Sequence, residues 1–408
     1  MNKILIALCI SLVSGLAANN KNPAPDPCCK EKCCPCPKPP VCCECYVPSY
    51  YDLQCDAGVY LYGDFLYWYA KEDNISPCMT LRGNTGTVGT AADGITGSTG
   101  TSDLVSVNQL GTKWDPGFRA AIGYNFDHDG WDFEANYTWY HNKKRNVISI
   151  PGFQTVSGFG ISAFFPGNGQ LALIDPWINS SLENSFLFEK VSTLWKLEFN
   201  QADLELGRKF WLGKYTALRT YAGVRGAWII TRFNNLAYKL ANDGTNHVNN
   251  FSDRFKNNIW GVGLLAGLQP EWHFCRGFIL FANLDAALLW GKFKVRKNED
   301  YSSFAANGGV QTIRYNNTSS NIFYKMQSVL DLEVGFRWEH TWCNRVRGAL
   351  DIAWENHIWF DVNHRYQVLA NNIGAGIGGI SIVPITAYSE LIGDLMMGGP
   401  VVRLRIDF

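Results

Sequence analysis

The chain has 408 residues, 36 basic and 36 acidic side chains for a net charge of zero, 14% aromatics and 39 glycines. That balance excludes the basic footprint of a nucleic-acid binder or a polybasic membrane-surface protein. No stretch after the N-terminus approaches 18 uninterrupted apolar residues, so spanning helices are excluded too.

Residues 1–18 read as a secretory signal: Lys3 supplies the positive charge, Ile4 to Leu16 an apolar stretch, and Gly15-Leu16-Ala17-Ala18 a cleavage site after Ala17 or Ala18. Residues 19–56 form a Cys/Pro-rich linker. Cys28, Cys29, Cys33, Cys34, Cys36, Cys42, Cys43 and Cys45 stand among Pro23, Pro25, Pro27, Pro35, Pro37, Pro39, Pro40 and Pro48, a composition incompatible with a helix or a sheet core.

From residue 57 onward the pattern is period two, in which successive side chains point to opposite faces of a strand. Ten segments show it. Strand 59–69 opens the series. Phe118, Ala120, Ile122, Tyr124 and Phe126 alternate with Arg119, Ala121, Gly123 and Asn125. After the hairpin signal Asp127-His128-Asp129-Gly130, Trp131, Phe133, Ala135, Tyr137 and Trp139 share one face, and Asp132, Glu134, Asn136 and Thr138 the other. Strands near 194–211 and 215–232 flank Leu212-Gly213-Lys214; those near 257–273 and 278–295 flank Cys275-Arg276-Gly277; those near 324–341 and 346–360 flank Cys343-Asn344-Arg345. Along 195–211 the apolar phase shifts near Asn200, as a bulge or an overlong strand would make it. The last strand, 400–408, alternates Val402, Leu404, Ile406 and Phe408 with Arg403, Arg405 and Asp407.

Trp131, Trp211, Trp272 and Trp342 border the tight turns, and Trp68, Trp139, Trp195, Trp228, Trp290 and Trp354 recur toward the far ends. Two aromatic levels around an apolar band are what a barrel presents to lipid. Trp131 to Trp139 is roughly 26 Å along a strand, or roughly 20 Å at a tilt of about 40°. The fold predicted is therefore an all-β, antiparallel up-and-down transmembrane barrel over 57–408. Ten strands are visible, with a range of ten to sixteen because 145–155, 309–316, 365–370 and 379–385 can each add one. Long connections at 70–115, 142–193, 233–256, 296–323 and 361–394 alternate with the short turns, which places both termini on the periplasmic side. The loop 83–102, rich in Gly, Thr and Ser, is expected to be mobile and exposed. Ile161 to Phe165 and Ile373 to Ile385 are too apolar for free loops, and either fold into the pore or form further strand and rim packing.

With the apolar faces on lipid, alternation assigns the lumen to Arg119, Asp132, Glu134, Arg219, Arg225, Asp285, Asp331, Glu333, Arg337, Arg347, Asp351, Glu355, Arg403 and Arg405. Both signs are balanced, so no strong ion preference is implied. A porin is the function expected, with a non-conducting structural or adhesive surface barrel as the alternative. In one, the charges line a water-filled path for small hydrophilic solutes; in the other, a narrow barrel locks them into salt bridges and is closed. A wider barrel favours the first.

The eight tail cysteines, Cys55 before the first strand, and Cys275 and Cys343 in short turns all fall on the periplasmic, oxidising side; Cys78 falls in an outer loop. Vicinal cysteines such as Cys33-Cys34 pair poorly with each other. They are expected to form intermolecular disulfides with other copies or other Cys-rich envelope proteins. The alternative, a zinc site, lacks an accompanying histidine and a familiar spacing, so no metal or cofactor is expected. There is no GxSxG, HExxH, P-loop or dinucleotide fingerprint. A ten-stranded barrel is similar to the omptin proteases, and His141 and His357 with nearby carboxylates are the residues to compare with their site, but no motif matches. No enzyme is expected.

The opening strand Gly58 to Ala70, the segment Trp114-Asp115-Pro116-Gly117-Phe118-Arg119, and Trp131-Asp132 before a hairpin strand resemble the MOMP-like outer-membrane proteins, the Legionella-type family and its relatives in Chlamydia-related bacteria. The likeness runs from about 57 to Phe408, whose terminal aromatic resembles the signal read by the barrel assembly machinery. It implies an abundant surface porin and, for the chlamydial relatives, a disulfide-linked envelope; it assigns no site residue.

Overall fold

In the computed structural model, residues 58–87, 98–126, 129–150, 171–177, 187–240, 247–274, 277–305, 313–342, 346–371 and 385–408 are described. The predicted cleavage site, the whole cysteine-bearing tail, Cys55, Cys275, Cys343 and the segment 161–165 lie outside them, as do 373–384.

The described strands are β1 (Gly58–Glu72), β2 (Met79–Thr87), β3 (Ser98–Val107), β4 (Trp114–Asn125), β5 (Trp131–Ser149), β6 (Leu171–Ile174), β7 (Leu187–Phe188), β8 (Lys190–Trp211), β9 (Thr216–Leu240), β10 (His247–His273), β11 (Phe278–Ala305), β12 (Ile313–Trp342), β13 (Val346–Asn371) and β14 (Ile385–Asp407). Ten of them close an antiparallel barrel in the order β1-β14-β13-β12-β11-β10-β9-β8-β5-β4, with β4 pairing back onto β1. Across the apolar band closure leaves no sheet edge, which is what a strand-built membrane span requires; beyond it β12 and β13 part, their mutual pairing ending at Val329 and Trp359. The other four, β3-β2-β6-β7, form a small separate sheet from the first two long connections.

Where they are described, the segments that offered extra strands extend barrel strands: β5 runs to Ser149, β12 begins at Ile313 and β13 continues to Asn371, while 151–155, 309–312 and 379–384 lie outside the described residues. Several predicted loops are therefore largely strand, and the connection between β9 and β10 shrinks to 241–246. The loop 83–102 is partly ordered into a hairpin as well, with Arg82 opposite Asp103 and Thr87 opposite Ser98.

The four-residue connection 127–130, closed by the Phe126 amide donating to the Trp131 carbonyl at 2.9 Å, has Asp129 and Gly130 at φ values of 59° and 66°, a left-handed conformation that glycine and aspartate tolerate best. Gly123 matters for a different reason. An added Cβ would fall 2.0 Å from the Tyr60 ring, so only glycine leaves room for that tyrosine inside the barrel. β8 pairs with β5 and β9 in unbroken register from Lys190 to Trp211, so the phase shift at Asn200 marks an overlong strand without a bulge. Its outward residues change there from Leu206 and Leu204 to Glu198 and Lys196, while its inward residues change from Glu205 and Asp203 to Phe199 and Leu197. The strand is leaving the bilayer as the lumen turns apolar.

The outer surface carries both aromatic levels. Trp131, Trp272 and Trp342 are exposed near the short turns, and Trp139, Trp228, Trp260, Trp290 and Trp354 at the far level. Trp68 and Trp195 do not join them. Both are buried inside, because Trp68 shares its face with Asp64 and Trp195 shares its face with Asp203. Phe278 and Trp290 bracket the band on β11; twelve residues are roughly 40 Å of strand, or roughly 30 Å across the membrane at a tilt of about 40°.

Candidate functional site: the barrel interior

All fourteen charged residues assigned to the lumen by alternation lie on the inward phase of their strands; thirteen make ion pairs, with one another or with further carboxylates, and Glu134 is held by two tyrosines. Nearest the short turns, Arg347 pairs with Asp407 (2.9 Å) and Glu339 (3.3 Å), Arg405 pairs with Asp407 (2.7 Å), and Lys209, Arg337 and His273 converge on Glu271. Further in, Arg337 grips Asp351 with two bonds of 2.8 and 2.9 Å. Arg403 grips Asp64 at 2.9 and 3.0 Å, and also reaches Glu333 at 3.6 Å. Arg119 bridges Asp64 (3.0 Å) and Glu355 (2.8 and 3.0 Å). His357 lies between Asp331 (2.8 Å) and Glu355 (3.2 Å).

On the facing strands Arg225 holds Asp203 at 2.9 and 3.0 Å and Asp331 at 2.5 Å, with Asp285 at 3.9 Å. Arg219 binds Asp132 and reaches Glu205 at 3.4 Å. Tyr60 and Tyr62 donate to the two oxygens of Glu134, and Tyr221 donates to Asp285. Planar guanidinium forks facing carboxylates in pairs are the geometry that offsets the cost of burying charge.

These groups are closed off from solvent. The side chains of Asp64, Glu355 and Arg225 are 0%, 2% and 2% exposed, and that of Arg405, nearer the short turns, is 13%. On their far side lies an apolar layer of Leu66, Trp68, Leu197, Phe199, Ile229, Leu289, Val329, Trp359, Met397 and Val401, all buried in one cluster. Its rings interlock: Phe199 meets Trp359 edge-on at 5.6 Å, and Trp68 lies 4.6 Å from His357 and 5.5 Å from Tyr140.

Above that layer the second long connection enters the barrel. Trp177 packs against Phe233 (5.9 Å) and Phe255 (5.4 Å), with the Arg365 guanidinium 5.1 Å from its ring. The Trp177 indole donates to the Ser76 carbonyl at 2.7 Å, and Lys297 donates to the Trp177 carbonyl at 2.7 Å. Asp175 accepts from Asn235 (2.6 Å) and from the Trp177 backbone (3.0 Å). Burial pushes its carboxyl up to about 7 despite those bonds. Among the described residues the inward-folding segment is 171–177; the two expected ones, 161–165 and all of 373–385 but Ile385, lie outside them. Cys78, at the neighbouring turn, is buried and free; burial pushes its thiol up to about 11, which makes it a poor nucleophile.

Alternation missed Asp64, Asp203, Glu205, Glu271 and His357, each of which completes a pair above. Asp64 was legible, since it occupies the same phase of β1 as Tyr60 and Tyr62. Asp203 and Glu205 were hidden by the phase shift of β8. His357 was legible beside Glu355, two residues away on the same face of β13, whereas its contact with Asp331 on the next strand depends on register and could not be read from spacing.

Residues 65–408 match the family described as Legionella pneumophila major outer membrane protein precursor. The chain belongs to that family. Its place is accordingly the outer membrane, and its fold that of an outer-membrane barrel. No curated protein matches the sequence. Among solved structures, the outer-membrane protease OmpT of Escherichia coli is similar at 10% identity, covering 86% of this chain and 97% of its own, with a TM-score of 0.32. The toluene transporter TodX of P. putida is similar at 8% identity, with coverages of 86% and 90% and a TM-score of 0.19. A FadL homologue of Pseudomonas aeruginosa follows at 9%, 88%, 91% and 0.20. Likenesses this distant carry nothing about what this family member does.

Proposed function

We propose that this member of the major outer membrane protein family serves chiefly as a structural barrel of the outer membrane, with its lumen shut at rest. One observation carries the reading: a buried, mutually paired charge network capped by the Trp68–Phe199–Trp359 layer. Ten strands give a narrow interior that side chains can fill. Reconstituted into planar bilayers, the purified protein is expected to leave the membrane electrically silent. Discrete conductance steps that scale with the amount inserted would overturn this in favour of the second reading, passive diffusion of small hydrophilic solutes. That second reading is favoured by the mixed-sign luminal charges from Arg119 to Arg405 and stays compatible with an apolar layer that moves.

Catalysis is not part of the proposal. The His357–Asp331 pair lies beneath Trp68 with the histidine side chain 9% exposed, leaving no approach for a peptide or ester.

The termini are taken as periplasmic, with Phe408 read by the barrel assembly machinery. Phe408 faces outward at 57% exposure, and its amide donates to the Val59 carbonyl at 3.0 Å, next to the seam between β1 and β14. The cysteines Cys28, Cys29, Cys33, Cys34, Cys36, Cys42, Cys43, Cys45, Cys55, Cys275 and Cys343 are proposed to cross-link the protein to itself or to Cys-rich envelope partners. Oxidised envelopes run on a non-reducing gel are expected to show ladders that collapse to monomer with reductant; a monomer band without reductant would sink the cross-linking idea.

A further inference from the structure

Five basic residues stand side by side on the outer surface, one on each of five neighbouring strands. Lys143 on β5 is directly opposite Lys196 on β8, Lys196 opposite Arg232 on β9, Arg232 opposite Lys256 on β10, and Lys256 opposite Arg296 on β11. Directly opposed residues share a face and lie about 5 Å apart, so the row is continuous and outward. Like charges placed so oppose one another and weaken the sheet. Their own neighbours do little to relieve this. Among the described residues only Arg232 has an acidic partner, Glu198 at 2.6 Å.

Elsewhere on the outer wall, on β1, Lys71 pairs with Asp73 at 3.7 Å. Repulsion left unrelieved on one arc points to a counter-charge supplied from outside the chain.

The height of the row says where that charge comes from. Lys143, Arg232 and Lys256 stand four residues beyond the belt residues Trp139, Trp228 and Trp260 of their own strands, and Arg296 six beyond Trp290. Four residues are roughly 13 Å of strand, or roughly 10 Å along the membrane normal at a tilt of about 40°. That is the level of lipid headgroups, above rings that mark the hydrocarbon boundary. Lysine and arginine stems lie along the wall while their charged ends reach the headgroups.

We propose that the row Lys143–Lys196–Arg232–Lys256–Arg296 is a docking surface for a phosphate-bearing lipid of the outer leaflet, whose headgroup phosphates bridge adjacent strands through charge-assisted hydrogen bonds. The proposal rests on the orientation given above, with the long connections outside. Binding in detergent micelles does not depend on orientation, whereas protease or antibody access to the long connections on intact cells does, so the two fail separately.

The probe is lipid A carrying both phosphates, added to the full chain in neutral detergent, with enzymatically dephosphorylated lipid A as the comparison and native mass spectrometry as the readout. The phosphorylated form is expected to stay bound and the dephosphorylated form to be lost, with retention falling as salt rises. The combined variant Lys143→Gln, Lys196→Gln, Lys256→Gln and Arg296→Gln keeps Arg232 with Glu198, and is expected to retain the lipid about a hundredfold more weakly. Lys71→Gln, on β1 and outside the row, is expected to change nothing. Heat-dependent migration on gels checks that each variant is folded. Equal retention of both lipids by the natural protein overturns the proposal and needs no variant. So does full retention by the folded fourfold variant, or displacement of the lipid by inorganic phosphate at equal concentration.

Discussion

Arg225→Leu is expected to destabilise the barrel by roughly 3–5 kcal/mol, the usual cost of removing one partner from a buried ionic cluster. The guanidinium joins Asp203 to Asp331 and stands nearest the more distant Asp285, with His357 reaching Asp331 from its other side. Without it, carboxylates contributed by β8, β11 and β12 face one another across a dry interior, where their repulsion is poorly screened. The measurement is the urea midpoint of the refolded protein, followed by the heat-dependent gel shift. Adding Asp203→Asn and Asp331→Asn to the same chain is expected to recover most of the loss, because the charges needing compensation are then gone. An unchanged midpoint for Arg225→Leu would mean that the network is decorative. No recovery in the triple variant would mean that the arginine acts through its bulk.

The second large effect concerns the apolar layer. Trp359→Ala and Phe199→Ala each remove a ring that is 1% or 2% exposed, and each is expected to cost about 3–5 kcal/mol as a cavity the neighbouring strands cannot close. A barrel wall is held by its ladder hydrogen bonds and cannot collapse inward as a helical core does. The space vacated by both rings therefore fills with water and reaches the Glu355–His357–Asp331 pairs just beneath. The double variant is expected to give measurable current in planar bilayers where the natural protein gives none. If the double variant is folded and still silent, the seal lies higher, at Trp177 and Arg365.

These two layers also show how far a single sequence can be read. Strand existence, face and order followed from period-two alternation, because one side of each strand must satisfy hydrocarbon and the other an enclosed interior. Inward placement of Arg119, Glu355 and Arg403 followed from the same rule. What escaped the rule was the apolar interior. Trp68 and Trp195 looked like belt residues because alternation cannot distinguish a ring facing lipid from a ring facing a packed lumen. On β8 the inversion at Asn200 held the answer, since an outward face turning polar as the inward face turns apolar can happen only where the strand leaves the membrane. The Leu171–Trp177 plug was illegible for a different reason: its partners Ser76, Asn235, Lys297 and Arg365 come from four distant stretches of chain.

The strands of β10 to β13 run far past the far aromatic level. On β11, fifteen residues separate Trp290 from Ala305, roughly 50 Å of strand, or roughly 38 Å of height at a tilt of about 40°. The molecule is thus a tall chimney with only its base set in the roof. Substitutions at the rim are mechanically remote from the lipid and from the locked charges below, so that rim is free to change its face to antibodies or phages without disturbing what keeps the cylinder standing.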